Sequence, residues 1–412
     1  MRLCHRLLAL LALWVASAVV CTGAAGAADV QDFLATLPAV QQNEFIAWRT
    51  AKSQHERLLD AYWQQIEAKR KGRRAKRRST KFFDGDDYVW TFPPTYKGPR
   101  LSGELDKKWS RFLASQEKKT PSKPPQPMPG LANFLAAAKA HYNFVPARIS
   151  EKEFKRRYAA EALSLGLTPE QVVRVYALET GGNGTADMQA GINPITKKGK
   201  PISSALGYAQ LLHANTIGEL VKHGNTFVKR LEQMRASARD KARADELARK
   251  IASLKAMLKT AKSVPNNWYR HVAFAKTSKG YGMHAVNLDG DIGPWLQSLK
   301  LRGLKDFAKR QGFTNLSGEE LELMNLSGPG TGLEMMQPTG LTVPTPNFFS
   351  RRAYYVNKMV IGKTTAELLA EFTRRMDNGR RKAGAVEFAE AFEEVSGVRR
   401  TGLQEPEQLP WR

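Results

Sequence analysis

The sequence predicts a mainly α-helical protein with a long helical insertion and a separate N-terminal extension, part helical and part irregular. Three observations carry this. Apolar residues recur at helical spacing over 29–70, capping signals open helices at Ser150 and Thr168, and residues 226–262 form a charged amphipathic stretch.

The first element is an export signal, expected over residues 1–27. Arg2 and Arg6 flank the start of an apolar run, residues 7–20, and Ala25-Gly26-Ala27 fits a small-residue cleavage site. A membrane anchor is the weaker reading, because the run is about 14 residues and a span needs about 20. A lipoprotein reading through Cys21 is weaker still, since Val20 is large for the position before a lipidated cysteine. Both cysteines, Cys4 and Cys21, fall in this signal. The mature chain is therefore expected to lack disulfides, a cysteine nucleophile and thiolate metal sites. The periplasm is the expected destination, secretion the alternative. A formal charge of +25 favours anionic partners such as wall polymers, lipid head groups or nucleic acid, without choosing among them.

A basic, partly helical extension is expected over 28–118. Phe33, Leu37, Phe45, Tyr62, Trp63 and Ile66 are part of its apolar periodicity. The basic run at 69–78 reads as a solvated linker or as an electrostatic tether to an anionic wall or membrane surface. It lacks the interleaved aromatics that single-stranded nucleic acid would favour, so no specific nucleic-acid partner is expected. Residues 81–118 mix aromatics with turn formers and should pack on some surface. The stretch 119–130 holds five prolines and reads as a semi-rigid linker.

Residues 131–400 read as one helical domain, followed by a tail at 401–412. Ser150 and Glu153 have capping-box spacing. Thr168-Pro169-Glu170-Gln171 is a stronger helix start, with a capping hydroxyl, a proline at the first helical position and a glutamine that can reach back. The apolar helix that follows ends at Gly181-Gly182, which puts Glu179 in its last turn. Residues 226–262 read as a long helix or a helical hairpin inserted in the domain. Leu247, Ile251, Leu254 and Leu258 supply an apolar face for core packing or for a partner.

A carboxylate against an apolar helix end is disfavoured in its charged form, which keeps a proton available near neutral pH. Glycosidic cleavage needs such an acid to protonate the leaving oxygen. The glycines that follow leave room for a bulky polymer.

Four segments in order carry a resemblance. Glu179-Thr180-Gly181-Gly182 resembles the Glu-Ser-x-Gly start of the lytic transglycosylase domain, and Gly207-Tyr208-Ala209-Gln210-Leu211 resembles its Gly-Leu-Met-Gln-Leu-type motif. Met324-Asn325-Leu326-Ser327-Gly328-Pro329-Gly330 is similar to its Ala-Tyr-Asn-Ala-Gly-Pro-Gly segment. Arg352-Ala353-Tyr354-Tyr355-Val356 looks like its closing Arg-Asn-Tyr-Val segment. The resemblance spans roughly 150–365, with 226–262 as extra material. It implies a lysozyme-like fold that cuts the MurNAc–GlcNAc β-1,4 bond of peptidoglycan strands and leaves a 1,6-anhydro sugar. Glu179 would act first as acid and then as base on the C6 hydroxyl of the same sugar. Thr180, Gly207, Tyr208, Gln210, Asn325 and Gly328 would line the saccharide groove, and Tyr355 would orient Glu179. Neither cofactor nor metal is implied. Thr180 stands where the family has serine, Met324 where it has tyrosine, and Arg352 is shifted by one place.

Two other readings remain open. Asp187 could be a second carboxylate of a glycan hydrolase. Alternatively, the chain could be a wall-binding scaffold that keeps a degenerate groove without turnover. Asp289 and Asp291 lack the further ligands of a calcium loop. The histidines show no zinc spacing, and neither a Walker loop nor a nucleophile elbow occurs. The oligomeric state is not legible.

Overall fold

The computed structural model describes residues 27–79, 82–119 and 127–397. Most of the expected export signal, part of the proline-rich linker and the C-terminal tail lie outside the described residues. In chain order the helices are α1 (Ala27–Ala35), α2 (Ala39–Arg78), α3 (Gly103–Lys119), α4 (Leu131–Tyr142), α5 (Glu151–Ser164), α6 (Pro169–Thr180), α7 (His213–Ala236), α8 (Lys241–Lys262), α9 (Trp268–Ala275), α10 (Ser278–His284), α11 (Ile292–Lys309), α12 (Gly318–Ser327), α13 (Pro329–Met335), α14 (Pro338–Thr342), α15 (Arg351–Val356), α16 (Thr365–Arg380) and α17 (Ala383–Ser396). The fold is mainly α-helical, and among the described residues there are isolated bridges but no β-sheet. None of the described helices is long and apolar enough to cross a membrane.

The chain divides into two compact units. Among the described residues one comprises 128–337 with 366–397, and the other 27–127 with 338–365. The second unit thus takes in a stretch that the sequence places inside the large domain.

In the larger unit, caps fix the helix starts. The Ser150 hydroxyl accepts from the Glu153 N–H at 3.2 Å and opens α5. At α6 the box is reciprocal: Thr168 Oγ1 accepts from the Gln171 N–H, and Gln171 Oε1 accepts from the Thr168 N–H, both at 3.1 Å. The insertion is a hairpin of α7 and α8. Leu247, Ile251, Leu254 and Leu258 are all buried in the core it shares with α4, α10 and α11. Burying each such side chain stabilises by about 1.5–3 kcal/mol, so this face is committed to the unit's own core. Lys250 of α8 adds a buried ion pair with Asp291 and another with Asp289 at 2.9 Å. Those two aspartates are therefore occupied in holding the hairpin.

In the smaller unit α1 and α2 are separate helices, because Pro38 stands at the N-cap of α2 and Thr36–Leu37 make turn hydrogen bonds. Phe33, Leu37, Phe45, Leu105 and Trp109 form an aromatic-rich core. The basic run at 69–78 is not a linker but the end of the 40-residue helix α2. Arg73 is buried: its guanidinium donates to the Asp87 carbonyl at 2.6 Å and to the Asn347 carbonyl, over the ring of Tyr88. Lys76 is paired with Asp87 at 2.6 Å and with Asp84 at 3.1 Å. Asn347 in turn accepts from the Val89 N–H at 2.8 Å and donates to the Val89 carbonyl at 2.7 Å. These bonds are why 338–365 joins this unit.

Candidate active site

Helix α6 is buried on nearly every side from Gln171 to Thr180, as expected of a core helix rather than a surface one. Gly181 closes it in the left-handed conformation. Gly182 follows at φ 79°, and a Cβ there would lie 2.0 Å from the carbonyl oxygen of Gly379. Only glycine lets α16 come this close, and that contact fixes the helix end bearing Glu179.

Glu179 is 6% exposed and lines a pocket of about 410 Å³. Gln210, Trp268, Lys300, Glu322 and Asn325 line the same pocket. One oxygen of Glu179, Oε1, accepts from Asn325 Nδ2 at 2.8 Å. The other, Oε2, is shielded from solvent and has no hydrogen-bond partner among the described residues. Burial pushes the carboxyl up to about 7, against the opposing pull of Lys300 and of the Asn325 hydrogen bond. The group is thus poised to give and to take a proton near neutral pH.

Asn325 comes from α12, whose start is fixed by a reciprocal capping box between Ser317 and Glu320. One turn earlier on α12 is Glu322, also buried. Asn325 Nδ2 reaches both of its oxygens, at 3.1 and 3.3 Å. The two carboxylates therefore share one amide nitrogen. Burial and the neighbouring Glu179 charge hold the Glu322 carboxyl well above the usual carboxylate range. Lys300 projects from α11 and donates to the Ala209 carbonyl at 2.7 Å, which ties that helix to the 207–211 segment.

That segment is set by Gly207 and Gln210. Gly207 has φ 73°, and a Cβ on it would meet the Gln297 amide at 2.4 Å. Gln210 has φ 44°, an uncommon conformation for a residue with a side chain. Its Nε2 donates to the Gly207 carbonyl at 2.8 Å. Strain of this kind persists where the surroundings over-determine it, and here it turns Gln210 to the pocket.

The expected site residues divide clearly. Glu179, Gln210, Asn325 and Gly328 come together on one pocket. Gly207 serves as the turn behind it. Tyr208 and Thr180 differ from expectation: each is 1% exposed, and neither lines the pocket. The Tyr208 hydroxyl donates to Glu151 at 2.6 Å, and its ring packs on Phe154, Tyr158, Tyr176 and Phe388. Thr180 Oγ1 donates back to the Tyr176 carbonyl at 2.7 Å and accepts from the Gly184 N–H. Tyr355 belongs to the smaller unit, where its ring meets those of Trp63 and Tyr354. Met324 is fully buried in the core.

Asp187 does not line the pocket. It is bound by Arg148 at 2.8 Å and by Lys197 at 3.2 Å, and with the Thr185 hydroxyl these hold its carboxyl down to about 2 despite burial. The residues that sequence reasoning missed are Glu322, Lys300 and the half-exposed Trp268. No family model, curated protein or solved structure matches the chain.

Proposed function

We propose that the protein is an exported lytic transglycosylase of peptidoglycan, with a lysozyme-like arrangement of helices around Glu179. The observation that carries this reading is the state of Glu179: a buried carboxyl at about 7, anchored through one oxygen and unpartnered at the other, in a pocket with an aromatic wall. The order of the four motif segments in the sequence supports the substrate class.

In this reading Glu179 gives its proton to the glycosidic oxygen as the bond to the MurNAc anomeric carbon breaks. The resulting carboxylate is stabilised by Lys300 and by Asn325. It then takes the proton of the MurNAc C6 hydroxyl as that oxygen closes on the anomeric carbon, which leaves the 1,6-anhydro sugar and returns Glu179 to its acid form. One carboxyl serves both steps because the nucleophile is already part of the substrate. Trp268 offers a flat apolar face to a sugar ring. The remaining exposed cations of the basic run, Lys71, Arg74 and Arg78, are available to an anionic wall or membrane surface.

A hydrolase is the second reading. What favours it is Glu322, a second carboxyl in the same pocket, rather than Asp187, which is neutralised elsewhere. Digestion of purified peptidoglycan followed by mass spectrometry separates the readings. Anhydro-muropeptides that disappear with Glu179→Gln are expected. Reducing-end products would replace the lytic reading by hydrolysis. Retention on the wall polymer with no soluble product would leave a scaffold and remove both enzymes.

A further inference from the structure

The Asn325 amide is held between two buried carboxyls on different helices, Glu179 of α6 and Glu322 of α12. A carboxyl placed only to fill a core would be expected to carry its own cation. Glu322 makes no salt bridge among the described residues, and its hydrogen bonds come from Asn325. Arg174, on the helix that carries Glu179, is taken up by Glu170, Glu319 and Asp377. Glu334 of α13 is buried and negative if charged, so it supplies no compensation. Lys300 of α11 is the cation that lines the pocket, and one cation faces two carboxyls. Two like charges this close in a site of low dielectric resist ionising together, and such a pair titrates as a unit.

We propose that Glu322 is a positioning residue that titrates as one unit with Glu179, so that once the pair has lost its first proton the two carboxyls share the one that remains. This rests on the reading of Glu179 as the acid. Asn325, donating to both, keeps them in register whichever of the two holds the proton. When Glu179 of the doubly protonated pair has given its proton to the leaving oxygen, the pocket holds one carboxylate, opposed by Lys300, and Glu322 keeps its own proton. Above neutral pH, where an isolated Glu179 would simply empty, the pair keeps one proton and a fixed fraction of molecules still has it on Glu179; donation from that form leaves two carboxylates beside one cation, so it reacts more slowly. The consequence is a pH–rate profile that levels off on its alkaline side before its final fall.

Glu322→Gln tests this, because the glutamine oxygen can still accept from Asn325. The readout is kcat/KM of wall digestion against pH, each protein normalised to its own value at low pH. The variant should fall by about tenfold for each pH unit above 7 with no shoulder, as one titrating carboxyl does, and the wild type should show the shoulder. Superimposable profiles would overturn the proposal.

A second measurement needs no activity. Infrared titration of the protonated carboxyl stretch should show a band in the wild type that survives well above pH 7. That band should titrate at lower pH in Glu179→Gln, where the neighbouring charge is gone. If the band is unmoved by Glu179→Gln, the two groups do not share a proton. If the band behaves as expected but the wild type releases no anhydro product, the shared proton stands and the lytic reading of Glu179 fails.

Discussion

Replacing Glu179 by glutamine should abolish turnover and, above neutral pH, make the protein more stable. The carboxyl ordinarily titrates at 4.5 and is raised to about 7 in the folded chain by burial. The folded state therefore holds this proton more tightly than the unfolded state. Its stabilising effect is complete below pH 4.5 and is lost as pH rises through about 7. At roughly 1.4 kcal/mol for each pH unit of that difference, ionising Glu179 in place destabilises the native state by about 3 kcal/mol at pH 9. Glutamine keeps the acceptor for Asn325 and never ionises, so it escapes this penalty. With about 2–4 °C of midpoint per kcal/mol for a domain of this size, the variant should melt roughly 6–12 °C above wild type at pH 9. The two proteins should coincide near pH 4. Thermal unfolding of both at the two pH values measures this. Equal midpoints at pH 9 would refute the claim that Glu179 is held as a raised, buried acid, and so would a variant less stable than wild type there.

Four further outcomes follow from the same contacts. Asn325→Ala removes the donor common to both carboxyls; the peptidoglycan digest should slow by about a hundredfold, the usual scale for losing one preorganised donor. Lys300→Met removes the cation that opposes burial, so the Glu179 carboxyl should move above about 7 and the fall in activity at high pH should begin later, which a pH–rate profile reads directly. Trp268→Ala should raise KM by about tenfold, equivalent to about 1.4 kcal/mol of binding, with kcat nearly kept; an unchanged KM would remove the indole from the groove. In the smaller unit, Arg73→Met strands the Asp87 and Asn347 carbonyls and should cost about 2–4 kcal/mol in a denaturant titration.

Much of the architecture was legible because it is locally encoded. The capping box at Thr168 and the apolar run behind it were enough to place α6 and the helix end that carries Glu179. The 4-3-4 spacing of Leu247 to Leu258 marked a buried face, and the structure has it as one arm of a hairpin. The smaller unit was not legible in the same way. Its assembly depends on Arg73, Asn347 and Val89, residues far apart in sequence that are joined by side chain to backbone bonds. A basic run reads as solvated when its cations are counted, but only the folded contacts show that Arg73 is buried, reaching as far as Asn347, and that Lys76 is paired with Asp84 and Asp87. Charge density alone could not distinguish a helix end from a linker.

The candidate site shows a related limit, and its cause is helix geometry. Successive residues on a helix point about 100° apart. A motif of adjacent residues on a helix therefore cannot turn all its members to one ligand. Glu179 faces the pocket, so Thr180 must face elsewhere, and it does, bonding back to its own helix. Tyr208, beside the tight turn at Gly207, is likewise spent on the core, while Gln210 two places on turns to the pocket in a left-handed conformation that no periodicity forecasts. The same geometry works in the other direction. Residues three apart share a face, so the turn of α12 that brings Asn325 to the pocket brings Glu322 to it as well. Its neighbours Glu319 and Glu320 disguised it, since three glutamates in four positions look like an exposed acidic turn. What separates them is partnership: Glu319 has Arg174 and Glu320 caps its own helix. Glu322 has only the amide that also holds Glu179, the proposed acid, and a buried acid without a salt bridge beside another marks a candidate functional site.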